Sequence, residues 1–112
     1  MKNKLSVGCI QLNSKSSIMK NLEDTISFSN LAVNKGAEFL FTPEVSNIIS
    51  LNRTELLDNV YEEKNDPFIK TFKEFCFQKS VWVLIGSLVI RDENNKLYNR
   101  SYLINNKGKI VS

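Results

Sequence analysis

The stretch Lys35-Gly36-Ala37-Glu38-Phe39-Leu40-Phe41-Thr42-Pro43-Glu44 decides how this chain folds. Lys35-Gly36 closes a helix: the cation complements the negative end of the helix dipole, and Gly takes the left-handed position just past the C-terminus. Residues 37–42 then read as a strand, apolar at Phe39, Leu40 and Phe41. Pro43 stops it, having no N–H to give to a ladder. Glu44 therefore stands just beyond the carboxyl end of that strand.

Upstream, residues 5–12 set Leu5, Val7 and Cys9 against Ser6 and Gly8 and finish on Ile10-Gln11-Leu12, the pattern of a largely buried strand. Residues 13–17 are polar and rich in capping side chains, so a helix is predicted to begin near Ser17. Ile18, Leu22, Ile26 and Val33 recur at helical spacing, with Thr25, Ser29 and Ala32 on the same face. Strand, helix and strand within the first 42 residues make a βαβ unit, whose strands run parallel and whose crossover is right-handed.

Downstream, residues 45–52 are irregular, and a short helix is predicted over residues 53–61. Asp66-Pro67 is a helix start, an acid at the N-cap followed by Pro at the first helical position. Phe68, Phe72, Phe75 and Cys76 then fall on one face of a helix that runs to about Lys79. Residues 81–90 are a strand, β-branched and apolar on both faces. Residues 92–95 form a turn, Leu97–Ile104 returns antiparallel, residues 105–108 turn again, and residues 109–111 begin a third strand. The order β-α-β-α-α-β-β-β is that of a layered α/β domain.

A chain of 112 residues suffices for one small domain. The net charge of +3 comes from scattered Lys and Arg, with no stripe and no aromatic interleaving, so nucleic-acid binding has no support. The longest apolar run, residues 81–90, is broken by Gly86 and Ser87 and is about half of what a membrane span needs. Met1-Lys2-Asn3-Lys4 leads into no long apolar segment, so a cytoplasmic location is expected. Two separated cysteines fit free thiols there. With no His and only Cys9 and Cys76, a zinc site lacks a ligand set, and no metal or organic cofactor is implied.

Glu44 is the first candidate for chemistry. Ligands of open α/β sheets bind at the carboxyl ends of the strands. A carboxylate there, behind a run of apolar residues, is expected to be partly desolvated, which suits a general base. Position alone also admits an exposed loop Glu or a helix N-terminal acid. Cys9 lies inside a strand and Cys76 on an apolar helix face; both read as core, and neither sits where a thiol becomes a nucleophile. Lys107 and Lys109 read as solvated turn residues, Trp82 and the phenylalanines as core.

Gly8-Cys9-Ile10-Gln11-Leu12-Asn13 resembles the opening strand of the nitrilase superfamily of carbon–nitrogen hydrolases. Asn21-Leu22 and the stretch from Lys35 to Glu44 are similar to that family's approach to its catalytic Glu. Leu97-Tyr98-Asn99-Arg100-Ser101-Tyr102-Leu103-Ile104, with the turn after it and Ile110-Val111, resembles its central hairpin. Pro-Glu alone is common; the ordered set, spread over nearly the whole chain, is what makes the resemblance specific. The branch it looks closest to includes deaminated glutathione amidase and ω-amidase.

The resemblance implies an α/β fold, the N-terminal part of the nitrilase-type α-β-β-α sandwich, in which two sheets pack face to face. It implies hydrolysis of a non-peptide carbon–nitrogen bond, a small linear amide in preference to a nitrile, through a Glu-Lys-Cys set with Glu44 as the base. The family's Lys is expected just beyond Ile110-Val111 and its Cys later still. Residues 1–112 are therefore expected to be one hydrolase domain truncated on the C-terminal side, inactive alone, and prone to homo-oligomerise through the uncovered face of residues 81–90. Asn47, Arg53 and Asn99 are candidates to contact substrate: Arg53 as a fork of donors for a carboxylate, Asn99 either as a near-site amide or as a plain strand residue. The rival readings are a complete, non-enzymatic flavodoxin-like binding module and a degenerate truncated homologue. Paired strands over residues 81–111 and the lack of a Gly-rich phosphate loop after the first strand argue against the binding module.

Overall fold

A computed structural model describes residues 6–10, 17–44 and 52–112. Among these, four strands form one sheet in the order β1 (Val7–Cys9), β2 (Phe39–Thr42), β3 (Trp82–Arg91) and β4 (Leu97–Ile104). β1–β2 and β2–β3 pair in parallel, and β3–β4 form an antiparallel hairpin. The helices are α1 (Ile18–Asn34), α2 (Arg53–Asn59) and α3 (Pro67–Lys79), with a 3₁₀ turn at Glu63–Asn65.

Local signals set the helix ends where the sequence predicts. The Ser17 hydroxyl oxygen accepts from the Lys20 N–H at 3.3 Å, and the Asp66 carboxylate from the Ile69 N–H at 3.1 Å. Each satisfies a donor that a helix N-terminus otherwise leaves orphaned. Gly36 sits at φ 98°, the left-handed conformation that ends α1. Thr25 and Ser29 are buried, and their hydroxyls donate to the Asn21 and Thr25 carbonyls one turn back, both at 2.7 Å. Polar side chains on a core face are thus satisfied by their own helix.

Register divides the sheet into two faces. Gly8, Leu40, Val83 and Ile104 are opposite one another and share one face; so do Thr42, Ile85 and Tyr102. α1 and α3 cover this face, and Leu40, Val83, Ile85 and Ile104 are sealed there with Phe68, Phe72 and Cys76 of α3. On the other face lie Val7, Phe39 and Trp82 in one row and Cys9, Phe41, Leu84 and Leu103 in the next.

Three expectations are corrected. The first strand is not largely buried: Val7 is 48% exposed and Cys9 is exposed, because β1 is an edge strand whose Val7 and Cys9 point away from the helices. Cys9 is therefore not a core residue. The third strand reduces to an isolated antiparallel bridge between Ile104 and Ile110, with backbone bonds linking Leu103 to Val111 and Ser112. α2 ends at Asn59, two residues earlier than predicted.

Candidate active site

At the carboxyl ends of the parallel strands the hairpin is irregular. Ile85 is opposite Tyr102 but Leu88 is opposite Arg100, so three steps along β3 match two along β4 and one extra residue is accommodated. The resulting bulge at Gly86-Ser87 turns the β3 backbone toward the end of β2. The Gly86 N–H donates to the Thr42 hydroxyl oxygen at 3.2 Å, and the Ser101 hydroxyl donates to the Gly86 carbonyl. A Cβ on Gly86 would stand 2.5 Å from the Thr42 carbonyl oxygen and 2.6 Å from the Pro43 carbonyl carbon. Only Gly permits this approach. The backbone leading into Glu44 is thus held from β3, through a residue whose lack of a side chain is the requirement.

Glu44 itself is exposed. The expected partial desolvation is not present: the apolar residues of β2 are committed to the two faces of the sheet, Leu40 to the core and Phe39 and Phe41 to the other side, and the carboxylate extends past the strand end. Asn47 lies outside the described residues. Arg53 is the first residue of α2 and is exposed. Asn99 is exposed on β4 opposite Val89 and, with Leu56, Val89, Leu97 and Tyr98, lines a cleft of about 280 Å³. Arg53 is not among the residues that line this cleft.

The hairpin that presents Asn99 is stiffened at its turn. Asp92 Oδ1 accepts from the Asn94 and Lys96 N–H groups at 2.8 and 2.9 Å, and Asp92 Oδ2 accepts from the Tyr98 hydroxyl at 3.3 Å. The backbone bond from Lys96, foremost among these, holds the Asp92 carboxyl below its usual range. Lys96 and Arg100 place their cationic groups 5.6 and 5.5 Å from the Tyr98 ring centre.

The other titratable groups are structural. Burial pushes the Cys76 thiol up to about 12, the reverse of what a nucleophile needs. Asp66 is fully buried at the start of α3, and burial raises its carboxyl to about 6 against the pull of two backbone hydrogen bonds. Its Oδ2 and the buried Tyr102 hydroxyl find no hydrogen-bond partner among the described residues.

The sequence reading missed Thr42, Gly86 and Ser101, which fix the approach to Glu44. The available signal was Gly86 itself, a Gly inside a strand pattern, which marks a bulge or a close backbone approach.

The carbon-nitrogen hydrolase family matches residues 6–112. The chain belongs to that family. It is 34% identical over 103 residues to a probable hydrolase, nit2, of Schizosaccharomyces pombe, covering 91% of this chain and 37% of that protein. It is 26% identical over 110 residues to the mouse deaminated glutathione amidase, covering 95% of this chain and 34% of that one. The chain thus spans about a third of the length of the curated relatives it matches. In three dimensions it superposes on the C. elegans NitFhit protein with a TM-score of 0.82 at 19% identity, over 97% of this chain and 28% of that one. At that identity the likeness speaks for the fold: the four-stranded α/β sheet is a carbon–nitrogen hydrolase sheet. No described helix is long and apolar enough to cross a membrane.

Proposed function

We propose that these residues carry the general base of an amidase acting on small linear amides, with Glu44 in that role. The observation that carries the reading is the family match across residues 6–112, taken with the β3 contact that fixes the backbone just before Glu44. Likeness to a deaminated glutathione amidase favours a linear amide over a nitrile.

In the proposed reaction Glu44 takes the proton of a Cys thiol, and the thiolate attacks the amide carbon. The Lys ammonium stabilises the oxyanion of the tetrahedral adduct. Glu44 then returns the proton to the departing nitrogen, ammonia leaves, and a thioester remains. Glu44 next takes a proton from water, hydroxide adds to the thioester, and the acid is released as the thiol is restored. That Lys and Cys lie outside the 112 residues; Cys76 is buried with its thiol proton held tightly, and Cys9 stands on an edge strand. Asn47, Arg53 and Asn99 are proposed to contact the substrate, Arg53 pairing with a carboxylate at its far end.

The test is ammonia release from small ω-amides by residues 1–112 alone and by the same residues joined to the remaining part of the fission-yeast relative. The joined protein should turn over, and Glu44→Gln should lower kcat by about 10²-fold or more. Ammonia release by residues 1–112 alone, or full activity in Glu44→Gln, would refute the assignment.

A further inference from the structure

We infer that a lysine-ringed groove on the outer side of α3 docks an acidic segment of a partner protein, with one apolar side chain entering the groove and the carboxylates around it meeting the lysines. Along the sequence the cations form no stripe, but the fold gathers five of them. Lys64, Lys70 and Lys73 line a groove of about 430 Å³ whose apolar lining is Ile69 and Ile110. Lys107 and Lys109 join them through the turn that follows β4. Asn105 Oδ1 accepts from both of their N–H groups at 3.0 Å. Gly108, between them, lies against the Lys73 carbonyl and the Phe77 side chain, too close to admit a Cβ. All five lysines are exposed.

The charge of this cluster is largely unmet. Among the described residues, Lys64 alone of the five is in an ion pair, 3.7 Å from Glu62. Glu63 and Glu74, on the same elements, are engaged elsewhere: Arg100 holds Glu63 at 3.2 Å, and Glu74 accepts from the Gln78 amide at 3.1 Å. Like charges gathered this way repel one another, and an anionic partner relieves that repulsion. The shape selects among anions. The cations surround a hollow with an apolar lining instead of forming a track, so it suits a side chain better than a sugar-phosphate backbone or a flat lipid surface. Phe77 and Ile110, 66% and 40% exposed, continue the apolar surface beside the lysines. α3 lies on the helix side of the sheet, whereas the second sheet of the family's sandwich packs on the opposite face, so the groove stays outside in that arrangement. Each exposed ion pair strengthens binding by less than about fivefold, and one partly buried leucine by about tenfold. The complex is therefore weak, with a Kd on the order of 1 mM.

The test is titration of residues 1–112 with a capped pentapeptide, a leucine between two pairs of glutamates, followed by amide chemical shifts. Shifts should move at Lys70, Lys73, Gly108 and Ile110 but not at Val7 or Gly8, and should saturate with a Kd on the order of 1 mM at low salt. Glutamines in place of the glutamates should weaken binding about tenfold or more, and alanine in place of the leucine about fivefold. Lys73→Glu should weaken it about fivefold or more. Lys35→Glu, the same change of charge at the far edge of the sheet beside β1, should stay within about twofold of the parent. The peptide variants leave the protein untouched, so they decide the matter even if Lys73→Glu does not fold. Shifts absent at several millimolar peptide overturn the inference, as does equal binding of the glutamine peptide. Equal weakening by Lys73→Glu and Lys35→Glu also overturns it, since attraction would then belong to net charge and not to the groove. Tighter binding of an eight-residue oligouridylate or of phosphatidylserine vesicles than of the peptide assigns the lysines to another class of partner and overturns it too.

Discussion

Replacing Asp66 by Asn should make the protein more stable at neutral pH and no more stable at pH 4. Asp66 caps α3 from a site with 0% exposure, and burial raises its pKa from 3.8 to about 6. A folded-state pKa above the unfolded value means that the native state holds the proton more tightly. Stability from this group is then fully present below about pH 4 and is lost as pH rises through about 6. Two units at about 1.4 kcal/mol each put the cost of the charged form at pH 7 to 8 on the order of 3 kcal/mol. Asn caps about as well as Asp, so Asp66→Asn keeps the bond from the Ile69 N–H and removes the buried charge. Its new amide group replaces Oδ2, which lacks a hydrogen-bond partner. Glu63, Arg100 and Asp66 all act on the Tyr102 hydroxyl, so Glu63→Gln makes a control for a change in Glu63 charge. Urea unfolding at half-unit steps from pH 4 to 8, followed by circular dichroism, should give a variant-minus-parent difference near zero at pH 4 that grows to about 2–3 kcal/mol in favour of the variant by pH 8. The difference cancels carboxylates common to both proteins. A difference independent of pH, or one that favours the parent increasingly at high pH, would refute the buried-charge account.

Gly86→Ala should destabilise by about 1–3 kcal/mol, because its Cβ meets the Thr42 carbonyl oxygen at 2.5 Å and backbone cannot yield as a side chain can; urea midpoints measure it, and amide chemical shifts should move at Thr42 and Glu44. Phe72→Ala should cost about 3–5 kcal/mol, since the ring is fully buried against Phe68 and Phe75; a loss below 1 kcal/mol in the same assay would contradict the assignment of α3 to the core.

The parts of this fold legible in the sequence are those governed by local chemistry. Ser17, Gly36 and Asp66-Pro67 mark helix ends because capping and left-handed turns depend on one or two residues. Phe68, Phe72, Phe75 and Cys76 mark a core face because helical period and burial coincide. Cys9 was misread for a non-local reason: whether a strand residue is buried depends on which face the helices choose and whether the strand has two neighbours, and β1 has one. A Gly inside a strand pattern signals the bulge at Gly86 locally, but which backbone it is brought against depends on the pairing of β3 with β2 and β4, which is not local. Glu44 was placed correctly at a strand end, but its surroundings depend on chain far from it in sequence.

Exposure of Glu44 taken alone argues against a general base, which works in a site closed to water. Membership of the hydrolase family rests instead on the match across residues 6–112, and the two observations are compatible if position and dryness have different sources. Position is supplied here: Gly86 and Ser101 fix the chain beside Thr42, so the backbone before Glu44 is set by register and not by a ligand. Dryness needs apolar groups over the carboxylate. In the proposed role those groups come with the nucleophile, so that the base becomes effective only where the thiol is also present. The aim of the carboxylate then does not have to form at the moment the pocket closes. Gly86→Ala tests this division in the joined enzyme: it should lower kcat while the stability of the sheet falls only modestly, because what it disturbs is the aim of one carboxylate.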